Sequence, residues 1–167
     1  VNAKNKNGFT PLMGAAERGE VELVKELIKN GANVNDVDNV GYSALHYVNN
    51  PEIAKILIEN GANVNAKSNN NNTPIMCVDN YECAKILVEN GANVKEKNNS
   101  GENAIMFAVV KGNHELVEFL IDKGADVWGN YNGKSLLNVA RDEKMYEILD
   151  NARKRDLLLL QKKQPTK

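Results

Sequence analysis

The residues of this chain whose types could support nucleophilic or metal chemistry are two histidines and two cysteines. Neither His46 nor His114 has a Cys or Ser nucleophile at the spacing of a catalytic motif. Cys77 and Cys83 are too few for a disulfide framework and lack the additional Cys or His ligands of a zinc site. We therefore predict no catalytic residue, no metal site and no cofactor, and interpret both cysteines as reduced, buried thiols.

The glycines and glutamates also give no sign of an active site. Gly8, Gly41, Gly101 and Gly133 each stand alone at a regular interval and do not form a glycine-rich phosphate-binding loop. The glutamates predicted on the outward sides of helices are Glu17, Glu22, Glu26, Glu59, Glu89, Glu115 and Glu118. Charges in this arrangement are typical of a solvated face.

The composition is that of one ordinary soluble domain with enough apolar residues for a core. Hydrophobic residues make up 42% of the 167 residues, charged residues make up 26%, and the net charge is -1. No basic stripe could neutralise several phosphates, so we predict no nucleic-acid partner. No apolar run approaches the roughly 18 to 20 residues that span a bilayer, so we predict no membrane partner. We expect a cytoplasmic protein, with a secreted effector as the alternative.

An internal repeat is the main signal of the sequence. The phrase Asn-Gly-Ala-Asn-Val begins at residues 30, 60 and 90, and a variant of it, Lys-Gly-Ala-Asp-Val, begins at residue 123. A unit of about 30 to 33 residues cannot bury its own apolar face and must stack on its neighbours. The sequence therefore predicts an elongated solenoid.

Each unit is predicted to contain two short helices followed by a polar turn. In the first unit Gly19 separates the helices and Gly31 ends the second one, where glycine tolerates the left-handed conformation. The apolar stripes of these two helices consist of Leu12, Ala15 and Ala16, and of Val21, Val24, Leu27 and Ile28.

The first unit resembles the ankyrin-repeat motif at Gly8, Phe9, Thr10, Pro11, Leu12, Ala15, Ala16, Gly19, Gly31 and Ala32. The same frame returns at Gly41, Ser43, Ala44, Leu45 and His46; at Thr73, Pro74, Ile75 and Met76; at Gly101, Ala104, Ile105, Ala108 and Gly112; and at Gly133, Ser135, Leu137 and Ala140. The resemblance covers residues 1 to about 150. It implies an α-solenoid of about five units, in which β-hairpin-like loops join pairs of antiparallel helices.

The repeat frame divides the chain into three parts. Residues 1–4 are identical to residues 64–67 and are predicted to be the tail of a preceding repeat, so we expect a fragment or a processed form. The array occupies residues 5–150, and residues 151–167 are predicted to form a helical cap and a polar tail. The predicted units lie near 5–37, 38–67, 68–97, 98–129 and 130–150.

The second and third units are about one helical turn shorter than the first, so their first helices are predicted to be short. Asn50 is placed to cap the next helix, with Pro51 at its first position. In the third unit Asp79 and Glu82 resemble a capping box. A shallower groove in the middle of the array is expected to follow.

At the C-terminal end an apolar stripe formed by Met145, Ile148, Leu149 and Ala152 continues towards four consecutive leucines at 157–160. We predict that the leucines cover the open face of the last unit; the alternative is that they bind a partner or another copy. Residues 161–167 are predicted to be a frayed polar tail.

The resemblance also implies the roles of particular residues. His46 occupies the position of the family's motif histidine, which forms hydrogen bonds between repeats, and His114 lies in the turn before a second helix. Cys77 and Cys83 fall on the first helix and at the start of the second helix of one unit, where the family places small apolar residues.

Ankyrin-repeat proteins usually contact their partners through the loop tips and the exposed side of the first helices, on the concave side of the array. The residues that this resemblance assigns to the tips are Lys6, Asn7, Phe9, Asn39, Val40, Tyr42, Asn69, Asn70, Asn72, Asn99, Ser100, Glu102, Tyr131, Asn132 and Lys134, and those on the first helices are Glu17, Arg18, Val110 and Lys111. Phe9 and Tyr42 are predicted to be exposed anchors for the partner; the alternative is that they pack only on the adjacent loop.

These observations predict a monomeric protein–protein interaction module and no enzyme, because no convergent titratable groups are visible. The first alternative is an auxiliary or targeting domain of a longer enzyme or effector. The second is small-molecule or metal binding in the groove.

Overall fold

The computed structural model describes residues 1–163, which form α-helices, one short 3₁₀ turn and one two-stranded hairpin. The helices are α1 (Pro11–Arg18), α2 (Val21–Lys29), α3 (Pro51–Glu59), α4 (Pro74–Cys77), α5 (Tyr81–Glu89), α6 (Ala104–Lys111), α7 (His114–Asp122), α8 (Leu136–Val139) and α9 (Glu143–Lys162). The 3₁₀ turn is Ala44–His46, and strands β1 (Asn130–Tyr131) and β2 (Lys134–Ser135) pair antiparallel.

The helices stack in two rows. The first row consists of α1, the 3₁₀ turn, α4, α6 and α8, each in contact with the next, and the second row consists of α2, α3, α5, α7 and α9. The core runs continuously between the rows. Its largest fully buried side chains are Leu12, Met13, Leu45, Ile53, Leu57, Leu87, Ile105, Met106, Leu120, Leu136, Met145 and Leu149. Each contributes about 1.5 to 3 kcal/mol relative to an exposed side chain, so stacking is the main source of stability.

In the first unit the two helices end where the glycines of the sequence predicted. Gly19 adopts a left-handed conformation (φ 73°) between α1 and α2, and Gly31 (φ 87°) follows the end of α2. The first-row elements of the second and third units span only Ala44–His46 and Pro74–Cys77, which confirms that these units are shortened.

The cap predicted for α3 is confirmed. The side chain of Asn50 accepts hydrogen bonds from the N–H groups of Glu52 and Ile53, and Pro51 is the first helical residue. Proline costs little at this position because its missing N–H would have had no partner in the helix.

The capping box predicted at Asp79 and Glu82 is wrong. The cap of α5 is Asn80, whose side-chain oxygen accepts a hydrogen bond from the Cys83 N–H at 3.0 Å. Asn80 immediately precedes the helix with extended backbone dihedrals, so its amide reaches the first turn. The Asp79 carboxylate instead forms an ion pair with Lys111.

Equivalent asparagines tie neighbouring units together at the ends of the second-row helices. Asn2, Asn35 and Asn65 each donate a side-chain N–H to a glycine carbonyl oxygen of the next unit, at 2.9 to 3.0 Å. The side-chain oxygen of each also accepts a backbone N–H of that unit at 2.9 to 3.0 Å. We call these three residues the asparagine ladder. The next equivalent residue is Lys95, which has no carboxamide and ends the ladder.

The four leucines at 157–160 do not cover the last unit, so this prediction is wrong. They are 48 to 59% exposed, whereas Met145, Leu149 and Ala152 of the same helix are buried. Helix α9 has 20 residues and its neighbour α7 has 9, or about 30 Å against about 13.5 Å, so the end of α9 extends beyond its support. The cap is therefore the part of α9 up to Asp156, whose carboxylate accepts the indole N–H of Trp128. Of the predicted polar tail, residues 164–167 lie outside the described residues.

Within residues 1–163 no helix combines the length and hydrophobicity that crossing a bilayer requires.

Candidate functional site

His46 is a structural residue that links two repeats. It is 4% exposed; its Nδ1 accepts the Ser43 N–H at 3.1 Å and its Nε2 lies 3.1 Å from the Asn72 carbonyl oxygen. These partners place the ring proton on Nε2. Burial lowers the pKa of His46, so the ring is neutral. The inter-repeat hydrogen bond predicted for this histidine is confirmed.

His114 joins the fourth unit to the C-terminal helix. It is the first residue of α7, one step later than the predicted turn position, and its Nε2 lies 2.9 and 3.0 Å from the two carboxylate oxygens of Asp142. Asp142 also accepts the Met145 N–H at 2.8 Å and so caps α9. Hydrogen bonds from Met145 and His114 lower the pKa of Asp142. This contact holds two elements together.

The two thiols are placed for packing. Cys83 is buried in α5 and Cys77, at the end of α4, is largely buried, as predicted. Burial raises the pKa of each thiol to about 11, which leaves the reactive thiolate scarce at neutral pH. Among the described residues no group of three or more His, Cys, Asp or Glu side chains could hold a metal ion.

A second set of equivalent asparagines holds the loop tips in line. Asn39, Asn69 and Asn99 each donate a side-chain N–H to a carbonyl oxygen of the preceding tip, at 3.0 to 3.4 Å. Their backbone N–H groups donate to the next carbonyl oxygen of that tip at 2.9 to 3.0 Å. These three predicted contact residues therefore also fix the spacing of the tips. The loops form no strands before β1 and β2, although the turns are hydrogen-bonded.

Most predicted contact residues are exposed, and we call the whole predicted set, tips and first-row helices together, the tip surface. The exposed members are Lys6, Asn7, Glu17, Arg18, Asn39, Val40, Asn69, Asn70, Asn99, Ser100, Lys111, Asn132 and Lys134, and the half-buried members are Phe9, Tyr42, Asn72, Glu102, Val110 and Tyr131. The carboxamide of Asn72 is engaged on both sides, because it donates to the Tyr42 hydroxyl at 3.0 Å and accepts from Asn98 at 2.9 Å.

Phe9 and Tyr42 are half-buried, so the expectation of an exposed aromatic pair is wrong. Tyr47 lies between them: its ring is 5.1 Å from that of Phe9 and 5.6 Å from that of Tyr42, edge to face in both cases. Tyr42 also stacks on His46, with centroids 4.8 Å apart. Each ring therefore covers part of its neighbour.

The sequence reasoning missed Tyr47. In the aligned repeats Tyr47 is equivalent to Gly14 in the first unit. The Phe9 ring lies 3.6 Å from where a Cβ of residue 14 would be, which is an ordinary contact distance. The available signal was that this repeat position holds glycine in the first unit and an aromatic residue in the second unit.

Comparisons with known proteins agree with this architecture. A family model described as ankyrin repeats (3 copies) matches residues 1–68, 47–131 and 75–150. A curated ankyrin repeat protein of Fowlpox virus (strain NVSL) is 48% identical over 48 residues, which make up 28% of this chain and 33% of the viral protein. The match thus spans about a third of the viral protein's length.

Proposed function

Because this chain belongs to the ankyrin-repeat family, we propose that it binds another protein across the tip surface, on the concave side of the array. Ankyrin repeats are generally non-catalytic modules for protein–protein interaction. A stacked array presents one extended surface to which every unit contributes, and such surfaces suit a polypeptide partner. The tip surface is the candidate for this role because its side chains recur at the same position of successive units.

The observation that carries the proposal is the alignment of the loop tips by Asn39, Asn69 and Asn99. Each links its tip to the preceding one through two hydrogen bonds, so four consecutive tips form a single line. A surface that is ordered before binding loses less conformational entropy when the partner docks. Exposed side chains such as Val40 and Ser100 lie between these links.

Phe9 and Tyr42 remain the proposed anchors, now as the accessible edges of an aromatic cluster that includes Tyr47. Half-buried aromatic side chains lose little rotational freedom on binding, because their neighbours already fix them, and aromatic residues are enriched at binding hot spots. The apolar edges lie beside exposed amides of the tips, a mixture typical of protein interfaces.

The proposal is tested by measuring the affinity of tip-surface variants for a partner recovered by affinity capture from the source cells. The Phe9→Ala/Tyr42→Ala variant is expected to lose at least about 2 kcal/mol of binding free energy. Both side chains also pack on Tyr47, so a second variant is needed. Val40→Lys changes a side chain that is 54% exposed; it is expected to weaken partner binding and to keep the parent's stability.

The matched control is Glu59→Ala/Glu89→Ala, which alters two exposed glutamates at the ends of second-row helices. We expect its affinity to equal that of the parent. Parental affinity in both tip variants, with circular dichroism showing that they are folded, would refute the tip surface as the binding site.

We also propose that the protein is a cytoplasmic monomer. The cytoplasmic location is supported by the two cysteines, which are free thiols and do not form a disulfide, as suits a reducing compartment. The monomer is tested by light scattering over a range of protein concentrations. The exposed leucines at 157–160 are the region where self-association would be expected to arise if the proposal is wrong.

A further inference from the structure

A cavity of about 530 Å³ lies between the first two loop tips, at one end of the tip surface. The residues that line it include Phe9, Tyr47, Glu17, Asp38 and Val40. The volume is within the range of about 300 to 1,000 Å³ that is common for sites that take a ligand or a side chain. The cavity therefore has room for one long side chain.

The two rings form a corner that can bind a cation. Their centroids are 5.1 Å apart and their planes are 75° apart, so the edge of one ring meets the face of the other. The π face of Phe or Tyr attracts an ammonium or guanidinium group that lies within about 6 Å of the ring centroid. Hydrophobic walls next to this corner suit the methylene groups of a lysine or arginine side chain.

The charged groups in the cavity wall are all acidic. Among residues 1–163 the Glu17 carboxylate has no hydrogen-bond or ion-pair partner, although its backbone oxygen accepts a hydrogen bond from Asn49. The nearby Arg18 is engaged with Glu20 through two bonds of 2.9 and 3.0 Å. No lysine or arginine lines the cavity. The exposed Glu17 carboxylate is thus available to a cation from outside.

Asp38 is held in place by its own unit. One carboxylate oxygen accepts the N–H groups of Val40 and Tyr42, both at 2.9 Å, and the other accepts the Tyr47 hydroxyl. Burial and the bond to Asp38 raise the pKa of Tyr47, so its hydroxyl stays neutral and keeps donating. Asp38 therefore fixes the ring of Tyr47 and adds negative charge beneath it.

We infer that this cavity receives a lysine or arginine side chain of the protein partner, with the charged group between the Glu17 carboxylate and the rings of Phe9 and Tyr47. The inference rests on the proposed function, and it specifies the partner chemistry at one end of the tip surface. Charge complementarity selects the occupant: two acidic residues and two aromatic rings favour a cation, and no lysine or arginine is among the lining residues.

The experiment uses the full chain and a defined probe, the peptide acetyl-Gly-Arg-Gly-amide. Backbone amide shifts of the ¹⁵N-labelled protein are followed as the peptide is added. Shifts are expected at the amides of Phe9, Glu17, Val40 and Tyr47, at millimolar peptide concentrations. The same peptide with citrulline in place of arginine has nearly the same shape and no charge, and it is expected to leave these amides unchanged.

Two variants test the roles of charge and ring separately. Glu17→Gln keeps the shape of an exposed side chain and should weaken binding of the arginine peptide by about 1.4-fold to fivefold, the range for an exposed ion pair. Phe9→Leu keeps an apolar side chain, removes the π face, and should weaken binding at least about twofold. The matched control Glu59→Gln, on α3, should bind as the parent does.

Equal shifts with the arginine and citrulline peptides, no shifts in the cavity, or unchanged binding by Glu17→Gln would each overturn the inference. These outcomes leave the proposed function intact if a captured partner still loses affinity with Val40→Lys. If instead the partner ignores every tip-surface variant while the arginine peptide still binds, the proposed function is wrong, and so is the assignment of the cavity to a partner side chain.

Discussion

At the scale of single residues, the surroundings decide what each titratable side chain of this chain can do. His46 is enclosed by Ser43 and Asn72 and is kept neutral by burial, whereas His114 is paired with the carboxylate of Asp142 on the outside of the array. Both residues link neighbouring elements, yet His46 does so through a buried hydrogen bond and His114 through hydrogen bonds to a carboxylate near the surface.

The two thiols are expected to react slowly and to make folding sensitive to alkali. Burial raises the pKa of Cys77 and of Cys83 from 9.0 to about 11. Above pH 9 the unfolded chain releases these protons while the folded chain keeps them, so stability is full below pH 9 and falls as the pH rises towards 11. Denaturant unfolding at about pH 8 and about pH 10 should show this loss.

The Cys77→Ala/Cys83→Ala variant is the control, since it should lose less stability over the same pH interval. Thiol labelling of the parent at neutral pH should be slow and should become complete only in denaturant. Rapid labelling in buffer, or a mass two units below that of the reduced chain, would contradict the picture of two buried free thiols.

At the scale of the elements, the interfaces between units differ in their hydrogen bonding. The asparagine ladder joins the N-terminal tail to the first unit, the first unit to the second, and the second unit to the third. Lys95 occupies the equivalent position between the third and fourth units, where its Nζ is 3.9 Å from where a Cβ of Gly124 would be. A lysine has only donors, whereas the ladder needs both a donor and an acceptor. This interface relies on packing and on contacts elsewhere.

Replacing Lys95 with asparagine is expected to extend the ladder and stabilise the array. The new carboxamide could donate to the Gly124 carbonyl oxygen and accept the Asp126 N–H, as Asn65 does in the preceding unit. Two exposed hydrogen bonds suggest a gain of about 0.5 to 1.5 kcal/mol in the free energy of unfolding. Chemical denaturation of the purified protein gives this value.

The reverse change, Asn65→Ala, serves as the matched variant and should cost a similar amount. If Lys95→Asn leaves the unfolding free energy unchanged while Asn65→Ala lowers it, the interface between the third and fourth units has a different geometry from the others.

The two halves of α9 are expected to respond differently to substitution. Leu149 is fully buried, so Leu149→Ala should cost about 2 to 5 kcal/mol. Leu158 and Leu159 are 58 and 56% exposed, so Leu158→Ser/Leu159→Ser should change the unfolding free energy by no more than about 0.5 kcal/mol. Thermal and denaturant unfolding measure both effects; a large loss from the double serine variant would show that these leucines pack after all.

At the scale of the whole molecule, each unit is stable only as part of the stack, because its core residues lie between neighbouring helices. The last unit therefore needs a cover, and α9 provides it through Met145, Leu149 and Ala152 against α7 and α8. Arg153 strengthens this end by donating to the Val127 carbonyl oxygen at 3.0 Å and by lying 4.9 Å from the Trp128 ring.

Truncation should reveal where the cover ends. A chain that stops at residue 143 loses all three buried side chains of α9 and is expected to aggregate or to melt at a clearly lower temperature. A chain that stops at residue 156 keeps them, together with the bond from Trp128 to Asp156, and should melt as the full chain does. If both truncated chains melted at the temperature of the full chain, α9 would be dispensable.

Much of the fold could be predicted because its signals are local and repeated. Glycines at helix ends, the caps and the apolar stripes act within one unit of about 30 residues. The sequence by itself therefore determined the family, the two-helix unit, the shortened second and third units and the end of α2 just before Gly31. The Asp79 error shows the limit of such signals, since two adjacent polar residues can both serve as caps.

Tertiary structure decided what depends on distances between units. The sequence shows many similar asparagines, but only stacking determines that the Asn39 side chain donates to the neighbouring tip. Among the described residues the Asn70 side chain forms no such bond. The placement of Tyr47 between Phe9 and Tyr42, and the acidic cavity beside it, arise because residues about 33 positions apart become neighbours when one unit stacks on the next. The leucines at 157–160 were misplaced for the same reason: their stripe is apolar in sequence, and only the structure shows that α9 extends beyond α7 and leaves them exposed.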